Sequence, residues 1–257
     1  MKIAIIGAGN MGGAIARGLA QGTHVKAGDI IVSNRGTQKL EELKADFPEI
    51  KITQNNQEAV DNAEMVILAV KPWLMEEVIG SLTWDLKKQI IVSVAAGISF
   101  EDLAEWMGDG LTAFRLIPNT AISELASMTL IASHNATKVQ EDTLLSMFNE
   151  LGMAMLIPEK QIPATTSLTS CGIAYVFKYI QAAMQAGIEM GVYPKDAMKM
   201  VAQSVKGAAE LILNNDTHPS VEIDKVTTPG GITIKGINEL DHAGFTSAII
   251  QAMKKSI

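Results

Sequence analysis

One cysteine, few aromatics and a deficit of positive charge set the first limits on this sequence. Cys171 is the only thiol among 257 residues. It can form neither an intramolecular disulfide nor a Cys-based metal site, and a lone thiol fits a reducing compartment. Aromatic residues make up 5% of the chain against 14 methionines, so the core is expected to be aliphatic, with Met as a flexible filler. The 21 Lys and Arg fall short of the 28 Asp and Glu, leaving a net charge of −7. Nucleic-acid binding needs a clustered basic face, and an anionic membrane surface needs a polybasic segment. Neither is present. No run approaches the roughly 20 apolar residues of a membrane span. The opening Met1-Lys2-Ile3-Ala4-Ile5-Ile6-Gly7 lacks the longer apolar region and cleavage site of a signal peptide. A cytoplasmic protein with no nucleic-acid or membrane partner is expected. The four histidines, His24, His134, His218 and His242, have no ligand-like spacing. They read as surface or cap residues, and no metal is expected.

What is present is an alternation of strand and helix patterns over the first half. Lys2 to Ile6 is a short apolar run that meets glycine, as a buried parallel strand does. Asn10 to Gln21 follows as a helix with Met11, Ile15 and Leu19 on one face. Further strands are expected at 29–33, 51–53, 65–70, 89–94, 111–116, 128–133 and 153–157, with helical stretches between them. Such alternation predicts a doubly wound parallel sheet. From about Glu159 no strand run is convincing. Long helical stretches replace them, at 174–190, 194–214 and 238–254. The first is apolar over most of its circumference, and such a helix is buried on most sides. A second copy of the chain is the simplest cover. The alternative is that the first half covers it in a monomer. A two-fold homo-oligomer formed through this half is the expectation.

Gly7-Ala8-Gly9-Asn10-Met11-Gly12 is a G-x-G-x-x-G placed between a strand and a helix, the context a dinucleotide site requires. Gly7 permits the tight turn, Gly9 clears the approach to a pyrophosphate, and Gly12 lets helix and strand pack closely. The helix N-terminus then offers free N–H groups to phosphate. A site for NAD places an acid about 20 residues on, to bond the ribose 2′-OH. Here the second strand ends Ser33-Asn34-Arg35 with no acid. Ser33 and Asn34 can bond a phosphate and Arg35 can neutralise it, so NADPH is expected over NADH. Ala69-Val70-Lys71-Pro72 follows another strand, at the carboxyl edge where ligands bind in such sheets. Lys71 is either close to the cofactor or a solvated loop residue. Ala95 and Ala96, in Ser93-Val94-Ala95-Ala96-Gly97, either leave room for a flat nicotinamide or mark a tight turn. The fold class expected is an α/β Rossmann-type N-terminal domain, residues 1–157, followed by an all-α C-terminal dimerisation domain, residues 158–257.

In the helical half, Thr228-Pro229-Gly230-Gly231-Ile232-Thr233 is an open loop. Its glycines can turn N–H groups into one concavity, an anion site, and Thr233 adds a hydroxyl. An ordinary interhelical turn is the other reading of the loop taken alone. With the glycine motif, Ala69–Pro72, Ser93–Ile98 and Arg115 followed by Pro118-Asn119-Thr120, the chain resembles the pyrroline-5-carboxylate reductase family from Met1 to about Ser247. The resemblance implies interlocked helical halves in a homodimer or an assembly of dimers, with the active site between cofactor and helical domains. It implies hydride transfer from the cofactor to the C=N carbon of pyrroline-5-carboxylate, giving L-proline. Thr233 would then bond the imine nitrogen. Thr228, Gly230, Gly231 and the Ile232 backbone would hold the carboxylate, and Asn56 would meet the adenosine. Departures from the family pattern fall at Ala121, Cys171, Ile173, Thr228 and Ile232. Two other readings share the glycine motif: a reductase of another cyclic imine or a hydroxyacid, and a non-catalytic NADPH-binding protein.

Overall fold

A computed structural model describes residues 1–257. The chain divides into two compact units, Met1–Ser170 and Cys171–Ile257.

The first unit is built on one eight-stranded sheet. Its strands are β1 (Ile3–Ile6), β2 (Ile30–Ser33), β3 (Lys51–Thr53), β4 (Met65–Leu68), β5 (Ile90–Ser93), β6 (Thr112–Ile117), β7 (Ser127–His134) and β8 (Gly152–Leu156). They lie in the order β3-β2-β1-β4-β5-β6-β7-β8. The helices are α1 (Asn10–Gln21), α2 (Gln38–Asp46), α3 (Asn56–Val60), α4 (Met75–Gly80), α5 (Phe100–Met107), α6 (Lys138–Asn149) and α7 (Ile162–Thr166). Alternate residues of β1 serve opposite faces. Ile3 and Ile5 join Ile15 and Leu19 of α1, Leu43 of α2 and Phe148 of α6 in one core layer. Ala4 and Ile6 join Val60 of α3, Ile79 of α4 and Leu103 of α5 in the other. Ile162 of α7 belongs to that second layer, which is why the first unit runs on past residue 157.

Two strands depart from the parallel sheet that the alternation predicts. β7 runs antiparallel to β6, and β8 is parallel to β7. The 118–126 connection is too short for a parallel crossover, which takes about a dozen residues or more. A single 3₁₀ turn at Thr120–Glu124 fills it.

A carboxylate ties the end of α1 to the end of α6. Glu150 accepts the backbone N–H groups of Thr23 (2.7 Å) and His24 (3.1 Å). It also pairs with His24 Nδ1 at 2.9 Å and accepts the Thr23 hydroxyl. Those bonds, the Thr23 hydroxyl first, hold its pKa at about 2, below the usual 4.5. A Cβ on Gly22 would come within 2.6 Å of the same carboxylate.

The second unit is entirely helical: α8 (Gly172–Glu189), α9 (Pro194–Asn215), α10 (Pro219–Val226), α11 (Ile232–His242) and α12 (Phe245–Lys254). Pro194 and Pro219 each open a helix at its first turn, where the missing N–H costs nothing. The His218 ring accepts the Ser220 N–H and caps α10. The stretch 238–254 is not one helix. Gly244 stands at φ +77°, a left-handed conformation that stops α11 and starts α12. Within this unit only Gly172 and Ala197 are buried. Phe177 is 57% exposed, Leu213 66% and Met190 77%. The helices thus keep large apolar faces uncovered within the single chain. No helix is long and apolar enough to cross a membrane.

Candidate functional site

The strand order reverses its direction of growth between β1 and β4, and a cleft of about 530 Å³ opens at their carboxyl ends. That is where a doubly wound sheet binds its ligand. Four turns supply the walls: Gly7, Gly9, Asn10 and Met11 after β1, Asn34 and Arg35 after β2, Ala69 to Pro72 after β4, and Val94 to Ala96 after β5. Ile6, Lys39, Asn56, Leu74, Val78 and Thr120 complete them.

The three glycines do three different things. Gly7 stands at φ +105°, and a Cβ there would lie 2.7 Å from the Ala69 carbonyl oxygen. A Cβ on Gly12 would lie 1.9 Å from the Gly7 carbonyl oxygen, so α1 sits against the turn only without one. Gly9 is the opposite case. A Cβ there meets nothing within 4 Å and would project into open space beside the start of α1. No side chain caps that helix, which leaves its first N–H groups free for an anion.

The lining carries Arg35, Lys39 and Lys71 and no carboxylate, in a chain whose net charge is −7. Arg35 lies 3.6 Å from Glu77 of α4, with both side chains mostly exposed. Asn34 braces the loop: its Oδ1 accepts the Ala8 N–H at 3.1 Å and its Nδ2 donates to the Gly36 carbonyl at 2.9 Å. Lys71 is extended before Pro72 (φ −64°, ψ 144°), as a residue ahead of proline should be. Its ammonium lies 5.9 Å from the Trp73 ring centroid.

Three residues named from sequence as cofactor contacts lie behind the wall. Ser33 is fully buried and donates to Asn56 Oδ1 at 2.7 Å, so it positions Asn56 and does not face a phosphate. Ala8 is buried with its N–H already bonded to Asn34, and Gly12 is buried in the α1 packing. Conversely, sequence reasoning passed over Lys39, and it named Thr120 only within the Pro118-Asn119-Thr120 stretch without a place in the cleft. Lys39 stands in the first turn of α2, just past the end of β2, and that position was its only signal.

The second candidate cluster lies in the helical unit. The Thr228 carbonyl accepts the Gly231 N–H at 2.9 Å, closing a turn with Pro229 and Gly230 at its centre. Gly230 has φ +71°, as a Pro-Gly turn of type II requires. A Cβ on Gly231 would fall 2.7 Å from the Thr228 hydroxyl oxygen. Gly231 is the N-cap of α11 and no side chain caps it, so the helix begins with free donors. Thr233 sits in that first turn, exposed together with Thr228, Gly230 and Ile232.

A glycine turn, an uncapped helix start and an acid-free cationic cleft at the switch point define a dinucleotide-binding oxidoreductase fold. Residues 2–97 match the family model described as NADP oxidoreductase, coenzyme F420-dependent, and residues 159–257 match that for pyrroline-5-carboxylate reductase dimerisation. The chain is 36% identical to the pyrroline-5-carboxylate reductase of Escherichia coli K12, covering 99% of this chain and 95% of that protein. It is 38% identical to pyrroline-5-carboxylate reductase 1 of Dictyostelium discoideum, covering 99% of this chain but 48% of that longer protein. A crystal structure of the Streptococcus pyogenes 1-pyrroline-5-carboxylate reductase superposes with a TM-score of 0.87 at 31% identity, covering 100% of this chain and 96% of that one. The chain belongs to the pyrroline-5-carboxylate reductase family.

Proposed function

We propose that this chain reduces 1-pyrroline-5-carboxylate to L-proline with NADPH, as a cytoplasmic homodimer or assembly of dimers, and that NADH serves less well. In this reading residues 1–157 are the cofactor part and 158–257 the dimerisation and substrate part. The observation that carries it is the cation-walled, acid-free cleft in a chain that matches reductases of this name over 99% of its length. The uncovered apolar faces of α8 and α9, and the match of residues 159–257 to a dimerisation family, support the homodimer.

The residues fit the cofactor. The open side of Gly9 and the free N–H groups of α1 accept the pyrophosphate. Arg35 faces the 2′-phosphate, and Asn56 meets the adenosine. The small side chains of Ala95 and Ala96 leave the nicotinamide its place, beside Val70. When bound, NADPH supplies the hydride that adds to the C=N carbon. The chain's part is to hold the imine and its proton. The Gly230 and Ile232 N–H groups and the Thr228 hydroxyl hold the carboxylate, around a turn that the Gly231 N–H closes on the Thr228 carbonyl. The Thr233 hydroxyl hydrogen-bonds the ring nitrogen, which becomes the secondary amine of proline as the C=N carbon takes the hydride. No nucleophile or acid–base pair is required, because a protonated imine is already electrophilic and orientation supplies the rest.

The test is the loss of NADPH absorbance on adding pyrroline-5-carboxylate. Thr233→Ala is expected to lower kcat about tenfold or more while NADPH affinity stays unchanged, the loss of one transition-state hydrogen bond. Wild-type protein that binds NADPH but reduces no imine would refute the substrate. An unaltered kcat in the variant would refute the role of Thr233.

A further inference from the structure

We propose that Glu159, anchored by Arg115, is a positioning residue for the reaction: through the Phe100 N–H it fixes the 94–98 turn, and so the wall against which the nicotinamide lies. The proposal rests on the NADPH reading above. Arg115 does not line the cleft, and it is only 8% exposed. A guanidinium at that depth needs a partner, and its Nη1 donates to Glu159 Oε1 at 2.7 Å. The same oxygen accepts the Phe100 N–H at 2.9 Å. Phe100 is the first residue of α5, whose opening N–H groups have no partner within the helix. A capping box satisfies its neighbours locally: the Ser99 N–H donates to Asp102 Oδ2 at 2.7 Å and the Asp102 N–H to Ser99 Oγ at 3.0 Å. That box shapes the helix start without tying it to anything else. Glu159, 59 residues further along the chain, ties it to the sheet through Arg115 of β6.

The turn that ends on this anchor is a wall of the cleft. Val94, Ala95 and Ala96 line the cleft, between the end of β5 at Ser93 and the start of α5 at Phe100. The near end of the turn is held beside Arg115 as well. Ser93 is the register partner of Arg115, and its hydroxyl accepts the Ala95 N–H at 3.3 Å. The middle is held by little. Ala96 and Gly97 are exposed, and Gly97, at φ +79°, has open space where a Cβ would stand. The place of the wall therefore depends on its two ends. At the far end the Phe100 ring stacks on His134 with centroids 5.2 Å apart. A stack of rings tolerates sliding, whereas the bond to Glu159 adds a direction. Direction matters here, because a misplacement of about 1 Å can cost about a hundredfold in rate.

The test compares the whole protein as wild type, as Glu159→Gln, and as the double variant Arg115→Met with Glu159→Ala. Gln keeps an oxygen for the Phe100 N–H. The double variant removes that oxygen without leaving a buried cation behind. Each is titrated calorimetrically with NADPH and with 2′-phospho-ADP-ribose, which lacks the nicotinamide. The double variant is expected to bind NADPH about fivefold more weakly while 2′-phospho-ADP-ribose moves by less than about twofold, and Glu159→Gln stays within about twofold of wild type for both. With pyrroline-5-carboxylate added, kcat of the double variant falls about tenfold and the isotope effect from NADPH deuterated at the transferred position grows, because hydride transfer is the step slowed. Protein that merely folds less well offers fewer binding sites with unchanged dissociation constants and isotope effect, and that result overturns the proposal. So does an equal loss for both nucleotides, or a loss in Glu159→Gln as large as in the double variant. Wild type that binds both nucleotides and reduces no imine overturns only the substrate reading. Wild type that binds neither overturns both.

Discussion

Gly9→Ala separates the cofactor site from the fold. The backbone there is extended (φ −65°, ψ −173°), a conformation alanine adopts without strain. The added methyl meets no atom within 4 Å. Alanine in place of glycine gains about 0.4–1 kcal/mol by restricting the unfolded chain. It loses a comparable amount, roughly 0.5–1 kcal/mol, as a poorer N-cap. The net change in stability is close to zero, and Tm is expected to move by less than about 3 °C. Binding is another matter. The methyl occupies the space through which phosphate oxygens reach the first N–H groups of α1. Displacing them breaks charge-assisted hydrogen bonds worth about 1.5–3 kcal/mol each, and losing two weakens NADPH more than about a hundredfold. Gly12→Ala is the contrast. Its methyl would lie 1.9 Å from the Gly7 carbonyl oxygen, so stability and binding fall together. Nucleotide titration and thermal unfolding of both variants read the difference. Gly9→Ala protein that binds NADPH within about threefold of wild type, or that melts as low as Gly12→Ala, refutes the reasoning.

Glu150→Gln removes the charge that ties α1 to α6 and is expected to cost about 1–2 kcal/mol, since its four hydrogen bonds are partly exposed. Because folding lowers the Glu150 pKa to about 2 from 4.5, the contribution is whole above the unfolded value. It fades as pH falls from about 4.5 toward 2. Chemical denaturation across that range should show the gap between wild type and variant close, and a constant gap would sink the account. Phe177→Glu places a charge on an apolar face of α8 that is 57% exposed in the single chain. Sedimentation is expected to find monomer in place of dimer, and an undisturbed dimer would show that α8 lies outside the interface.

The turn from β1 into α1 was legible because each of its glycines answers a local steric question that sequence poses by itself. Depth was not legible. Ser33 carries a hydroxyl at the end of β2 and reads as a phosphate ligand, yet strand alternation and the neighbouring Asn56 turn it inward. Lys39 escaped for the converse reason. It belongs to α2, a helix polar enough to read as a solvated face, and only the tertiary path of the chain brings that face to the cleft. The direction of β7 depends on the length of the 118–126 connection, which hydropathy does not weigh. The break at Gly244 hid inside an apolar period that continues across it, while α10 was signalled by Pro219 and missed because the helix is short. The Pro229-Gly230 turn is local chemistry and stands where its residues place it. What Thr233 does there depends on bound molecules, about which local chemistry is silent.

A helical unit that buries only Gly172 and Ala197 within its own chain makes folding a second-order event. The free energy that most domains gain in one collapse is withheld here until two chains collide, so the native population obeys mass action. Dilution should lower the melting temperature, and a newly made chain is exposed to aggregation for as long as it waits for its counterpart. A subunit carrying a defective cofactor cleft would still pair through intact helices. In a mixed population it would enter dimers with sound subunits, and its effect on the cell would be set by how many dimers it enters as well as by the activity it lacks.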